Sequence, residues 1–142
     1  MPDGGELLKK ADRLPKIHKK KILVVDDKAP NARLLKAVLE DEGIIYTAGS
    51  AAEALERLSS RPFAAVLTDV DMPRMNGIEL YLQTVERHPE MKNRFIFYTG
   101  SADSENISFL TENNLPYLLK PAPINSIRST VRSILQFDKN AG

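Results

Sequence analysis

Short apolar runs alternate along this chain with longer segments in which apolar residues recur every three or four positions. Five runs are typical of strands buried in a parallel sheet, and they cover residues 22–25, 44–48, 63–68, 95–98 and 117–119. A segment with helical spacing follows each run. This alternation predicts a doubly wound α/β fold, with five parallel strands and five helices on the two faces of the sheet.

Small and polar residues mark the expected helix ends. Pro30 suits the first turn of the first helix and Gly43 its end, while Ser50 and Glu53 have the spacing of a capping box. The fourth helix is expected over residues 103–113. The apolar positions expected along the helices are Leu34, Leu35, Val38 and Leu39 on one face of the first, Leu55 and Leu58 in the second, Ile78, Leu82 and Val85 in the third, Ile107 and Leu110 in the fourth, and Ile124, Ile127, Val131 and Ile134 in the fifth.

Charge divides the chain into a basic start and a slightly acidic body. Residues 1–20 hold six Lys/Arg and three Asp/Glu, whereas the remainder holds fourteen and sixteen. We therefore expect a basic linker or tail at 1–20, with a short helix around 6–14, a globular domain at 21–138 and a C-terminal tail at 139–142. The net charge of +1 weighs against direct nucleic-acid binding.

Composition excludes several kinds of site. The 142 residues include no cysteine, which removes disulfides, thiolate metal sites and thiol catalysis. Only two histidines are present, His18 and His88, and they are far apart in the sequence. No apolar run approaches the roughly 20 residues of a membrane span. With no secretory signal pattern at the start, the expected location is the cytoplasm.

Chemically active side chains follow four of the five predicted strands. Asp26 and Asp27 follow the first strand, Asp69 the third, Thr99 the fourth and Lys120 the fifth. Each residue alone has an ordinary alternative role, as a helix cap, a turn residue or an exposed lysine. Because the carboxyl ends of parallel strands meet at one edge of the sheet, we expect all five at one place.

Three neighbouring carboxylates repel one another, and a single lysine cannot neutralise them. A hard divalent cation can do so, and an all-oxygen site suits Mg²⁺ better than zinc. With the lysine and the hydroxyl nearby, the set has the charge and positioning that phosphoryl transfer requires. One of the aspartates can itself be the nucleophile. The residues therefore predict a magnesium-dependent phosphoryl-transfer site.

Four segments together resemble the response-regulator receiver domain of bacterial two-component signalling, over residues 21–137. They are residues 22–27, ending in Asp26 and Asp27; 67–77, around Asp69; 98–100, with Thr99; and 117–121, with Lys120 and Pro121. The resemblance implies a flavodoxin-like sheet with strand order 2-1-3-4-5. That order places the first and third strands side by side and brings their aspartates together.

The resemblance also implies a role for each residue. Asp69 is expected to be the phosphoacceptor, with Lys120 and Thr99 contacting the phosphoryl oxygens. Asp26, Asp27, Asp69 and the backbone carbonyl of Asp71 are expected to hold Mg²⁺. Thr99 and Tyr117 form the expected switch, and the Lys120–Pro121 peptide bond is expected to be cis. Such a domain accepts one phosphoryl group and loses it slowly, without multiple turnover.

The expected phosphodonor is a sensor histidine kinase or a histidine phosphotransfer protein. The expected output is a contact between a downstream protein and the face built by the fourth helix, fifth strand and fifth helix, with a phosphorylation-dependent homodimer as a further outcome. The domain is either a stand-alone regulator or part of a hybrid histidine kinase. Two alternatives stay open here, a haloacid-dehalogenase-like phosphatase that uses Asp69 and Asp71, and a pseudo-receiver that binds partners without phosphorylation.

Overall fold

The structure, a computed structural model, describes residues 20–101 and 104–141. Strands and helices alternate along the chain. The strands are β1 Lys21–Val25, β2 Ile44–Ala48, β3 Ala65–Asp69, β4 Phe95–Thr99 and β5 Tyr117–Leu119. The helices are α1 Ala29–Leu39, α2 Ala51–Ser60, α3 Gly77–Arg87, α4 Ser104–Glu112 and α5 Ile124–Ala141. The helix expected around 6–14 lies outside the described residues.

All five strands are parallel and form one sheet in the order β2-β1-β3-β4-β5. This is the strand order that the resemblance implied. Since β1 lies between β2 and β3, the residues that follow β1 and β3 come to the same edge of the sheet.

Two apolar clusters cover the two faces of the sheet. One joins the sheet to α2, α3 and α4, and its largest buried side chains include Phe63, Phe95 and Phe97. The other joins the sheet to α1 and α5 through residues such as Leu39 and Val131. All five residues of β3 are buried, as its continuous apolar run predicted.

Side chains cap the starts of two helices, and only the first of these caps was predicted. The Ser50 hydroxyl accepts the N–H of Glu53 at the start of α2, where the Glu53 carboxylate accepts the N–H of Gly49 and not that of Ser50. Asn76 and Glu79 form a reciprocal capping box at the start of α3. Gly77 is required there, because a Cβ at this position would lie 2.3 Å from the carbonyl oxygen of Asp69. The close approach seats α3 directly against the strand end that carries the aspartate.

Three apolar positions in the predicted helical patterns do not point into the core. Leu34 is 62% exposed, Leu82 49% and Ile124 51%. The prediction that Leu34 shares the inward face of α1 is therefore wrong. In α3 the inward positions are filled by Leu80, Tyr81 and Thr84 instead of Leu82. Leu34 and Ile124 line one groove of about 280 Å³ between α1 and α5.

A short 3₁₀ helix, Pro89–Met91, joins α3 to β4 and was not predicted. Met91 turns into the core from this segment and is 4% exposed. Among the residues that the structure describes, none of the helices is long and apolar enough to cross a bilayer.

Candidate functional site

The three aspartates predicted at the strand ends lie together. Asp26, Asp27 and Asp69 each offer a carboxylate oxygen, and these oxygens lie within 4.8 Å of one another. Asp26 and Asp69 are buried, at 1% and 2% exposure, whereas Asp27 lies at the opening. Strand pairing explains the convergence, because β1 and β3 are neighbours and both end at this edge.

Each buried carboxylate is held on one side by a backbone amide. The N–H of Lys28 donates to Asp26 Oδ1 at 2.8 Å, and the N–H of Asp71 donates to Asp69 Oδ1 at 3.0 Å. The second oxygens, Asp26 Oδ2 and Asp69 Oδ2, are buried and accept no hydrogen bond from any described residue. Such oxygens are costly to bury without a partner. They are suitable ligands for a hard cation such as Mg²⁺.

The electrostatics of Asp26 show the same shortage of positive charge. Burial raises the pKa of this carboxyl above its ordinary value of 3.8, and the nearby Asp69 carboxylate acts in the same direction. The hydrogen bond from Lys28 and the charge of Lys120 lower the pKa but do not cancel the rise. The cluster therefore holds more negative charge than the protein compensates.

Lys120 is the cation that the structure brings to the two buried carboxylates, while Lys28 lies 3.6 Å from Asp27. The Lys120 Nζ lies 3.2 Å from Asp69 Oδ1 and 3.9 Å from Asp26 Oδ2. The side chain is largely covered, at 23% exposure. It follows β5, two strands away from Asp69, and the peptide bond between Lys120 and Pro121 is cis.

Thr99, at the end of β4, is fully buried. Its hydroxyl donates to Asp71 Oδ2 at 2.9 Å and accepts the N–H of Ser101 at 3.1 Å. The resemblance to a receiver domain implied a role for the backbone carbonyl of Asp71 and gave its side chain no contact with Thr99. The structure instead connects that side chain to Thr99.

Tyr117 stands on the fifth strand, away from the acid cluster. It pairs in register with Phe97 on β4 and packs, partly buried, against the α2–α4 side of the sheet. Thr99 lies two residues beyond Phe97 on the same strand, so Thr99 and Phe97 face the same side.

Tyr98 is a site neighbour that the sequence reasoning missed. Its ring lies beneath Lys120, with Nζ 5.1 Å from the ring centroid, and its hydroxyl accepts the N–H of Ala122 at 3.3 Å. The aromatic residue directly before Thr99 was assigned only to the strand. The signal that could have revealed it is position, since β4 lies between the strands that supply Asp69 and Lys120.

Comparison with known proteins agrees with this geometry. The profile of the response regulator receiver domain matches residues 22–132. The chain is 33% identical over 117 residues to the hydrogenase transcriptional regulatory protein HoxA of Cupriavidus necator, covering 81% of this chain and 24% of HoxA. It is 42% identical over 84 residues to the response regulator receiver protein CpdR of Brucella abortus, covering 58% of this chain and 68% of CpdR.

A solved structure shows the same fold. The CheY-like response regulator receiver domain protein of Methanospirillum hungatei JF-1 superposes with a TM-score of 0.78 at 30% identity, covering 87% of this chain and 99% of that one. The chain belongs to the response regulator receiver domain family of two-component systems. It spans only a quarter of HoxA, a longer regulator, but about two-thirds of CpdR.

Membership of this family indicates its general binding properties. Receiver domains typically bind Mg²⁺, and they interact with histidine kinases and downstream effectors. Neither the phosphatase alternative nor the pseudo-receiver alternative is favoured by these matches.

Proposed function

We propose that this chain is a phosphoaccepting receiver, in which Asp69 takes a phosphoryl group from a phosphohistidine and the resulting charge changes a protein-binding surface. The phosphohistidine belongs to a sensor histidine kinase or a histidine phosphotransfer protein. The proposed receiver unit is residues 21–138. The observation that carries the proposal is the buried Asp26–Asp69 pair, with one oxygen on each residue that accepts no hydrogen bond and the Lys120 ammonium 3.2 Å from Asp69.

The proposed step is an in-line displacement at phosphorus. An Asp69 carboxylate oxygen forms the new O–P bond while the N–P bond of the phosphohistidine breaks, and the electron pair of that bond returns to the imidazole nitrogen. The amide of Asp71 holds Asp69 Oδ1, which leaves Oδ2 without a hydrogen-bond partner. Lys120 and Thr99 are assigned to the phosphoryl oxygens, as cation and hydroxyl donor.

The residues present fit a magnesium ion. Asp26, Asp27 and Asp69 supply the carboxylate oxygens, and the backbone carbonyl of Asp71 is assigned as a further ligand. When bound, Mg²⁺ supplies charge neutralisation for the carboxylates and the phosphoryl oxygens. Lys120 alone is shared between two carboxylates, so the second positive centre is needed before a dianionic phosphoryl group can approach.

The proposed switch begins at the Thr99–Asp71 hydrogen bond. The hydroxyl of Thr99 has one proton, which it gives to Asp71 Oδ2 in the unphosphorylated chain. A phosphoryl group on Asp69 adds a charge of about −1.5 to −2 and three acceptor oxygens. Thr99 then donates to the phosphoryl group, and Tyr117 moves toward the space that Thr99 leaves. The surface of α4, β5 and α5 changes, which alters its affinity for a downstream protein or for a second copy of the chain.

The switch can be separated from the chemistry with Thr99→Ala. We expect this variant still to be phosphorylated, more slowly, while its phosphorylation-dependent binding or dimerisation is lost. A Thr99→Ala chain that is phosphorylated and responds normally would contradict the proposed switch.

The function itself is tested by mass spectrometry of the intact protein. The chain is incubated with Mg²⁺ and a small acyl phosphate, and we expect an adduct of one phosphoryl group per chain. Asp69→Asn should give no adduct, and a chelator should suppress it in the wild type. Asp41→Asn, an exposed aspartate after α1, is the matched control and should be modified normally.

Three outcomes oppose the proposal. An adduct that persists in Asp69→Asn would move the acceptor elsewhere, and no adduct in the wild type would favour a pseudo-receiver. Sustained release of phosphate from a generic phosphate ester, far beyond one equivalent per chain, would favour the phosphatase alternative.

A further inference from the structure

Tyr98 lies on β4, between the strand that carries Asp69 and the strand that precedes Lys120. In the parallel register it pairs with Asp69 on β3 and with Leu118 on β5. Tyr98 and Leu118 both pack on the α1–α5 side of the sheet. Lys120, just after β5, lines the α1–α5 groove together with Tyr98, and its side chain reaches Asp69 across the end of β4. The residue that it crosses is Tyr98.

The ring of Tyr98 contacts the ammonium directly. Nζ of Lys120 is 5.1 Å from the ring centroid, which is within the range of a cation–π interaction. The same nitrogen is 3.2 Å from Asp69 Oδ1 and 3.9 Å from Asp26 Oδ2. The ammonium is therefore bounded by two carboxylates and one aromatic face.

The hydroxyl of Tyr98 holds the backbone beyond the lysine. It accepts the N–H of Ala122 at 3.3 Å, and Ala122 directly follows the cis Lys120–Pro121 pair. One side chain thus contacts both the cation and the loop that carries it.

We propose that Tyr98 is a positioning residue for phosphoryl transfer: its ring holds the Lys120 ammonium beside the acceptor carboxylate. A free lysine side chain samples many rotamers, and fixing it costs conformational entropy. An aromatic face attracts the ammonium without consuming any of its three N–H donors, which stay available for carboxylate and phosphoryl oxygens. The inference rests on the proposed function, because the placement of Lys120 matters only if Asp69 accepts a phosphoryl group.

The test compares initial rates of phosphorylation by a small acyl phosphate at fixed Mg²⁺. Tyr98→Leu should be slowed roughly three- to tenfold, the factor that an ordinary cation–π interaction provides. Tyr98→Phe keeps the ring and should stay within about twofold of the wild type, since only the hydroxyl contact is lost. The slowing by Tyr98→Leu should vanish in a Lys120→Gln background, where no ammonium remains to be positioned.

The chain contains a matched control. Tyr46, on β2, is also partly buried, and the Arg61 guanidinium carbon lies 4.6 Å from its ring centroid. Tyr46→Leu therefore removes the same kind of contact on an edge strand away from Lys120, and it should leave the rate unchanged. If Tyr98→Leu does not fold, pentafluorophenylalanine at position 98 keeps the ring shape but reverses its charge distribution, so this variant should be slower than Tyr98→Phe.

Each other result overturns the inference. Wild-type rates in the leucine and pentafluorophenylalanine variants, or slowing that persists in Lys120→Gln, would leave Tyr98 with packing alone. A loss in Tyr98→Phe as large as in Tyr98→Leu would remove the role given to the ring. If the wild type itself accepts no phosphoryl group, the proposed function fails and the inference fails with it. If the wild type is phosphorylated normally and only the Tyr98 results differ from expectation, the inference about Tyr98 fails while the proposed function stands.

Discussion

Asp26 and Glu42 flank the two ends of α1, and their surroundings are opposite. Asp26, before the helix, is buried beside Asp69, and burial raises its pKa. Glu42, after the helix, accepts hydrogen bonds from Arg132 Nε at 2.7 Å and Nη2 at 2.9 Å, and these lower its pKa. At neutral pH the first acid disfavours the folded metal-free chain, while the second favours it.

The comparison shows that the unfavourable electrostatic interactions lie at the acid cluster and the favourable ones at the other end of α1. The last helix brings Arg132 to Glu42, and Arg128 of the same helix donates to the carbonyl oxygen of Val38 at 3.0 Å. In the acid cluster, Lys120 is shared between the buried Asp26 and Asp69, and Lys28 lies 3.6 Å from the exposed Asp27. The two buried carboxylates are left short of positive charge, which costs stability and agrees with the divalent cation of the proposed function.

The largest expected effect is a slower rate of phosphorylation when a residue of the acid cluster is substituted. Asp26→Asn should slow phosphorylation of Asp69 by about 100-fold or more, because weakened metal binding is worth several kcal/mol of charge stabilisation. The rate of adduct formation with a small acyl phosphate measures this. Glu42→Gln is the control and should keep the wild-type rate. Equal losses of rate in both variants would show that the difference between Asp26 and Glu42 does not matter for phosphorylation.

Adding Mg²⁺ should reverse the instability of the cluster. At a free concentration 100 times the dissociation constant, the ion should add about 2.7 kcal/mol to the free energy of unfolding. Urea unfolding with and without Mg²⁺ measures the gain, which should be much smaller in Asp26→Asn. An equal gain in that variant would place the ion elsewhere.

Without metal, Asp26→Asn should stabilise the chain, by about 1–2 kcal/mol at neutral pH. Because the folded pKa of Asp26 is raised, the folded chain binds this proton more tightly than the unfolded chain does. Wild-type stability therefore falls as the pH rises from 3.8 through the raised pKa. Denaturant unfolding in chelator should show the advantage of the variant appearing over this window and absent below it; a constant advantage would exclude titration as its cause.

The smallest effect is expected at the other end of α1. Glu42→Gln should lower stability, by less than the Asp26 change, because the Arg132 side chain is 58% exposed and solvent screens the pair. The pKa of Glu42 is lowered, so its contribution is present above pH 4.5 and is lost as the pH falls through the lowered pKa. Unfolding curves should therefore show a pH trend opposite to that of Asp26, weakened by salt. The same pH dependence of stability in both variants would contradict the opposite pKa shifts of Asp26 and Glu42.

The sheet and the members of the acid cluster could be predicted because they depend on local pattern and topology. An apolar run that ends in aspartate identifies both β1 and β3, and the parallel arrangement then brings Asp26 and Asp69 to one edge. The chemistry of three carboxylates and a lysine needs no coordinates to suggest a metal. The prediction that these residues lie together rests on several strand ends, so it does not depend on the assignment of any single residue.

The contacts inside the site could not be predicted, because they depend on strand register and on how far each side chain reaches. Tyr98 fits a strand pattern equally well with or without Lys120 above it, and only the register shows the crossing. The bond between Thr99 and Asp71 joins the last residue of β4 to the loop after β3, 28 positions away in the sequence. Likewise, Leu34 fits the helical period, but its neighbours leave it outside the core.

The order of the strands has a consequence during synthesis. Asp26 leaves the ribosome long before Lys120, and between them come β2, β3 and β4, each of which must take its place in the sheet. A nascent chain that stops short of Lys120 carries all three aspartates but lacks the ammonium that lies between Asp26 and Asp69. On the proposed function, the acceptor site is therefore completed only when the fifth strand and the residue after it have been synthesised.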